Sequence, residues 1–162
     1  MKNLLLSKVC AEIIKINPEM QSPSYGTAGS AGLDVYANIE EDQEVYPGET
    51  VIIGTGIKIW TDNPNFALIA APRSGLGIKG MQLKNTIGVI DSDYQGEIKI
   101  FVINNNDYYD GGKVIIPSYK SGKPFAQILC IPVMQLMLWQ VEEFSNVSER
   151  AEGGFGHTDN KL

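Results

Sequence analysis

Three short stretches of the chain set chemically able residues close together. APRSGLG, from Ala71 to Gly77, places an arginine and a hydroxyl beside glycines. At the junction of a strand and a helix start, it presents a guanidinium, Ser74 Oγ and unpaired backbone N–H groups to an anion. The same residues also read as a plain turn with Ser74 as helix N-cap. RAEGGFG, from Arg150 to Gly156, joins an arginine to an aromatic face among glycines, which suits a flexible phosphate clamp and equally a disordered terminus. In GVIDSDYQGE, from Gly88 to Glu97, an apolar strand delivers Asp91 to a turn that carries Tyr94 and closes at Gly96. A buried carboxylate at a strand end can act as a general base on water. The bland alternative is an Asp capping a tight turn. A calcium loop fits less well, because the preceding strand and Tyr94 do not match the helix and ligand spacing of such loops.

These stretches must be positioned by a small framework. The chain has 162 residues, 43% of them apolar, and a net charge of -6, which fits one globular domain with its own core. One histidine, His157, and two cysteines, Cys10 and Cys130, cannot supply a structural zinc site with four N/S ligands, so a metal here is expected on oxygen. Both cysteines fall in apolar strand-like runs and are expected as buried reduced thiols, which points to an intracellular, cytoplasmic chain. The acidic balance argues against a nucleic-acid partner. It also makes the only two arginines, Arg73 and Arg150, informative, since arginine is well suited to bidentate phosphate contacts. The start is too short in apolar residues for a signal peptide, and the Pro124 to Trp139 stretch is too short and too broken for a membrane span. No membrane role is expected.

Periodicity predicts strands nearly throughout: LLLSKVCAEIIKI, AGLDVYA, ETVIIGTGIKIW, FALIAAP, NTIGVID, EIKIFVIN, KVIIP, PFAQILCIPV and LMLWQVEEF, separated by Gly, Pro, Asn and Asp clusters. That spacing suggests an all-β barrel or double-sheet fold with one short helix opening at Ser74. Asn104 to Lys123 is expected as an extended hairpin or surface loop with one short strand. From Ser145 onward the chain is polar and glycine-rich, and is expected to be mobile until something binds it.

Together with AGLDVYA (Ala31 to Ala37) and FAQI (Phe125 to Ile128), the three clusters resemble, in order, the five motifs of the trimeric all-β dUTPase family. The match runs from about Ala31 to Asn160, and five ordered motifs are far more specific than any one of them. The resemblance implies a jelly-roll-like dUTPase (β-clip) barrel over residues 1–144 and a closing arm over 145–162. It implies a homotrimer with active sites between subunits, and hydrolysis of dUTP to dUMP and pyrophosphate with Mg²⁺ on the triphosphate. By matching position, Asp91 would activate the water attacking the α-phosphorus, and Tyr94 would pack against deoxyribose and exclude a 2′-OH. The Asn85 to Ile90 hairpin, with Gly88, would read uracil, which disfavours cytosine by leaving polar groups unpaired. Ser74, Gly75 and Gln127 would hold the phosphate chain, Arg73 would add charge or organise that corner, and Asp34 would touch Mg²⁺ through water. Arg150 and Thr158 would clamp the γ-phosphate, Phe155 would stack over uracil, and Gly156 and His157 complete the arm's binding residues.

The chain departs from the family pattern in two motifs. The fourth reads Gly122, Lys123, Pro124 where the family carries Gly-Asp-Arg, and the fifth has Ala151, His157 and Asp159 for Gly, Ser and Gly. His157 either donates to the γ-phosphate, which would make closure pH-sensitive, or faces solvent. Asp159 adds negative charge near a bound polyanion. Two other functions compete. dCTP deaminase shares the fold but needs a glutamate where this chain has Phe101, which cannot shuttle a proton. A regulatory binding protein on the same scaffold could use the Tyr- and Asn-rich Asn104 to Gly122 segment for a protein partner.

Overall fold

A computed structural model describes residues 8–108 and 112–153. Its elements are β1 (Glu12–Lys15), β2 (Ser24–Tyr25), β3 (Leu33–Val35), β4 (Gln43–Val45), β5 (Thr50–Gly54), β6 (Ile57–Trp60), β7 (Phe66–Pro72), α1 (Ser74–Gly77), β8 (Met81–Leu83), β9 (Gly88–Ile90), β10 (Lys99–Asn104), β11 (Val114–Ile116), a 3-10 turn at Tyr119–Ser121 and β12 (Ala126–Pro132). Among the described residues the strands form four antiparallel sheets, ordered β1-β6, β5-β10-β8, β11-β4 and β2-β3-β12-β7-β9. The fold is all-β as expected, but the sheets do not close into a barrel.

Alternation places the core. In β10, Ile100 and Val102 point inward while Lys99 and Phe101 point out, as a period of two requires for a sheet with one buried face. Phe125, Ile53, Ile57, Met81, Val35, Val45 and Ile98 join them in one buried cluster. The β5–β6 turn is pinned to the start of β10: Thr55 Oγ1 donates to the Ile98 carbonyl at 2.7 Å, and Ile98 N–H donates to the Ile57 carbonyl at 3.0 Å. Asn104 ends β10 fully buried, its amide donating to the Val45 and Gly112 carbonyls while its oxygen accepts from Asn106 N–H. No helix among the described residues is long and apolar enough to cross a membrane.

Several expectations need correction. LMLWQVEEF forms no strand; Leu136, Met137, Leu138, Trp139 and Phe144 are each more than four-fifths exposed. Their composition favours a strand, but among the described residues no strand pairs with them. Cys10 and Cys130 are free as expected, yet both are exposed. Cys130 lies on the core side of β12, but the strand outlasts the core beneath it, burial falling off after Ile128. Partial desolvation still pushes its thiol up, which leaves little thiolate at neutral pH.

The first apolar run contributes only Glu12–Lys15 as strand, and residues 1–7 lie outside the described part. The short strands β2, β4 and β8 went unanticipated, being two or three residues each with too little alternation to register. The Asn104 to Lys123 segment carries one short strand as expected, but it is no mere surface loop. Val114, Ile116, Ser118 and Tyr119 are buried, and Ser118 N–H donates to Asp42 Oδ1 at 2.7 Å. Tyr119 Oη lies 3.0 Å from Glu40 and 3.2 Å from Glu19, and Lys120 pairs with Glu40. This Tyr–Glu–Lys cluster secures the fourth motif, which here lacks its Asp and Arg.

Candidate active site

The five-stranded sheet brings four of the five motifs onto neighbouring strands. β3, β12, β7 and β9 lie side by side, so Asp34, Gln127, the Arg73 corner and the Asp91 hairpin come from adjacent elements. Register then sorts them by face. Gln127 pairs with both Asp34 and Ala71, and directly paired residues point the same way.

At the end of β7 this face forms a polar corner. Gln127 Nε2 donates to the Pro72 carbonyl at 3.1 Å, which leaves its second amide hydrogen for a ligand. The side chain fits only because Gly32 lacks a Cβ, which would stand 2.1 Å from Gln127 Oε1. Arg73 Nη1 lies 3.4 Å from Asp34 Oδ2, a carboxylate largely withdrawn from solvent. Ser74 does not cap α1. Arg73 is the N-cap, extended at φ -78° and ψ 144°, and its carbonyl accepts from the Leu76 and Gly77 amides. Ser74 and Gly75 therefore begin the helix at its exposed end, where first-turn N–H groups have no intrahelical acceptor.

The second half of the site is a cleft of about 280 Å³ along β9, bordered by Asn85, Gly88, Ile90, Asp91, Tyr94 and Phe101. Gly88 lets β9 close on β7, since a Cβ there would meet Ala70 Cβ at 2.9 Å. The turn before β9 is tight: Thr86 N–H donates to the Leu83 carbonyl at 2.9 Å and Ile87 N–H to the Asn85 carbonyl at 2.6 Å. Thr86 sits at φ +63°, a left-handed conformation that is costly for a β-branched residue. Asn85 is exposed at this turn, its amide beside the cleft.

Asp91 is exposed, not buried as expected. β9 stops at Ile90, and Asp91 opens the following turn, where its carbonyl accepts from Tyr94 N–H at 3.2 Å. A second opening on its other side is bordered by Phe66, Ser92 and Asp93. Tyr94 is half exposed, and its hydroxyl donates to the Glu97 carbonyl at 3.0 Å. Sequence reasoning missed Ala70, Leu83, Lys99, Glu97 and the wall role of Phe101. The outward positions of β10 were a usable signal for Lys99 and Phe101.

One chain does not unite the two halves. Ala70, Gly88 and Ile90 line the cleft from one face of the sheet, because Ala70 pairs with Gly88 and Leu68 with Ile90. Asp34, Gln127 and Ala71 point from the opposite face. Arg150 lies apart again, in a turn where its Nε donates to the Gly153 carbonyl at 2.7 Å. Phe155, Gly156, His157, Thr158 and Asp159 fall outside the described residues.

Among the described residues no three His, Cys, Asp or Glu side chains gather as a metal cage. Asp34 is the one carboxylate at the polar corner, which fits an ion carried mainly by phosphate oxygens and reached by the protein through water.

The dUTPase family model matches residues 18–159. A deoxyuridine 5′-triphosphate nucleotidohydrolase of Hydrogenovibrio crunogenus is 46% identical over 145 residues, covering 89% of this chain and 90% of that protein. Among solved structures, a point mutant of the Staphylococcus bacteriophage 80alpha dUTPase with dUpNHpp superposes with a TM-score of 0.75 at 22% identity, covering 92% of this chain and 98% of that one. A dUTPase from phage phi11 of S. aureus, described as coordinating a structural Mg(II) ion, gives 0.70 at 22% identity over 85% and 99% of the two chains. At such identity the structural likeness shows the fold, while the family model and the close relative decide kinship: the chain belongs to the dUTPase family.

Proposed function

We propose that the chain hydrolyses dUTP to dUMP and pyrophosphate. The observation that carries this reading is the cleft in which Asn85, Gly88, Ile90, Asp91 and Tyr94 meet, in a chain 46% identical to a curated dUTP nucleotidohydrolase. The Asn85 amide and the backbone of the strained turn read uracil, and Tyr94 packs against the deoxyribose. Asp91, exposed at the mouth of the cleft, orients a water and takes its proton as the oxygen bonds to the α-phosphorus in line. The bond from that phosphorus to the bridging oxygen breaks, and pyrophosphate leaves.

Phosphates are held by the other half of the site: Gln127 through its second amide hydrogen, Ser74 through hydroxyl and backbone, Gly75 through its N–H, and Arg73, aimed by Asp34, through its guanidinium. Asp34 would hold a phosphate-carried Mg²⁺ at this corner, and the ion would neutralise charge on the phosphate oxygens. By the family resemblance, Arg150, Phe155, Gly156, His157 and Thr158 would complete the site over the bound nucleotide and keep bulk solvent from it.

Because the halves face away from each other within one chain, the working site lies between copies. We take the assembly to be the homotrimer that the family resemblance implies. The exposed apolar run from Met134 to Phe144 supports this, being more apolar surface than a lone soluble chain leaves uncovered. The test is pyrophosphate release from dUTP, dCTP, dTTP and UTP side by side. Turnover confined to dUTP is expected; equal turnover of dUTP and dCTP refutes the uracil assignment, and no release from dUTP refutes the activity.

A further inference from the structure

We propose that Gly96 and the backbone carbonyl of Glu97 are the positioning elements that set sugar selectivity, by seating the Tyr94 ring; the inference rests on the dUTP reading above. The ring crosses Gly96 more closely than any other residue would permit. A Cβ at position 96 would stand 2.3 Å from Tyr94 Oη, 2.5 Å from Cζ and 2.9 Å from Cε2. The hydroxyl is latched in turn, donating to the Glu97 carbonyl at 3.0 Å.

Glu97 is itself fixed to the framework. Its Oε1 accepts from Gly56 N–H at 3.0 Å, and the side chain occupies the space that a Cβ on Gly54 would fill, 2.4 Å from Oε1. Lys99 Nζ lies 3.9 Å from Oε2. A continuous run of contacts therefore leads from the β5–β6 turn through Glu97 to Tyr94. The hydroxyl end of the ring lies against Gly96, and the residue borders the cleft. Discrimination against a ribose 2′-OH needs a wall that does not yield, and this seat keeps an otherwise half-exposed ring from yielding.

Two variants disturb the seat in opposite senses. Gly96→Ala drives the ring toward the cleft by on the order of 1 Å to restore ordinary contact distance, so dUTP fits worse. Tyr94→Phe keeps the ring and removes the latch, so the wall gives and UTP fits better. Tyr94→Phe therefore lowers the ratio of kcat/KM for dUTP over UTP, whereas Gly96→Ala lowers kcat/KM for dUTP by about tenfold or more, as one methyl-sized misfit in a tight pocket does, and raises the ratio because the bulkier ribose suffers more. Damage to the fold or to assembly lowers both substrates together and leaves the ratio alone. The experiment measures kcat/KM for dUTP and UTP in the full chain and both variants, with circular dichroism to confirm folding. An unchanged ratio in either folded variant overturns the proposal. If Gly96→Ala does not fold, Tyr94→Phe decides alone. A parent chain that hydrolyses no dUTP overturns the underlying reading, whereas a selective parent with unchanged variant ratios overturns the seat only.

Discussion

At the residue scale, the proposed chemistry depends on one carboxylate. Asp91 stands at the mouth of the base cleft with its side chain open to solvent. Replacing it by Asn keeps size and hydrogen bonding but removes the ability to take a proton. Asp91→Asn is therefore expected to bind a non-hydrolysable dUTP analogue about as tightly as the parent, while kcat falls by roughly 10²–10⁴-fold. Isothermal titration paired with pyrophosphate release checks this; retained turnover removes Asp91 from the role. Asp91, Tyr94 and Arg73 stood out by type and spacing, whereas Asn85, Asp34 and Gln127 were read only through the family resemblance. Asn85, Asp91 and Tyr94 were expected to act together and do border one cleft, and Asp34, Arg73 and Gln127 do form one corner. Gly32 and Gly96 were not legible as positioning residues, because a glycine's importance here lies in which side chain occupies the space beside it, and that partner is distant in sequence for Gly32.

At the element scale, most strands followed from alternation, while the ends of elements did not. Ser74 looked like an N-cap, yet the last extended residue is Arg73, so the helix begins one residue earlier, at Ser74. The end of β10 shows what holds such a boundary. Asn104 replaces three missing backbone partners by bonding Val45, Gly112 and Asn106 from inside the core. Asn104→Ala removes a buried bond to the Val45 carbonyl and two part-buried bonds, and is expected to lower unfolding stability by about 1–3 kcal/mol. Urea denaturation should show this as a lower midpoint with an unchanged slope. A loss below roughly 0.5 kcal/mol would mean that the segment after β10 rearranges to satisfy those groups. The neighbouring ion pairs Lys113–Glu44 and Lys120–Glu40 are exposed. Their lysines hold both carboxyls below the usual range, so the small stability they add is present above that range and fades on acidification.

At the scale of the whole molecule, the sequence pattern marked the apolar character of LMLWQVEEF but not its fate. Periodicity reports that a face wants cover, not which surface provides it, and within this chain nothing does. The same limit applied to the site. The resemblance implied active sites between subunits; which motifs share a face comes from strand register, which turns the two halves to opposite faces of the sheet, and register is not written in motif spacing. The cysteines failed for a related reason: β12 continues past the core, so an apolar strand position near its end meets solvent.

On the proposed reading, that division between faces makes catalysis a property shared between molecules. A chain carrying Asp91→Asn still offers an intact phosphate corner, and one carrying Gln127→Ala still offers an intact base cleft. Each is expected to be nearly inactive alone. Unfolded together in equal amounts and refolded, they form mixed rings in which about a quarter of the sites pair two unaltered halves. Activity should reappear at about that fraction of the parent's, in a species whose sedimentation mass equals three chains. A mixture as silent as its components would place both halves of each site in a single chain. In genetic terms, the two lesions complement each other, and a defective copy need not silence its neighbours.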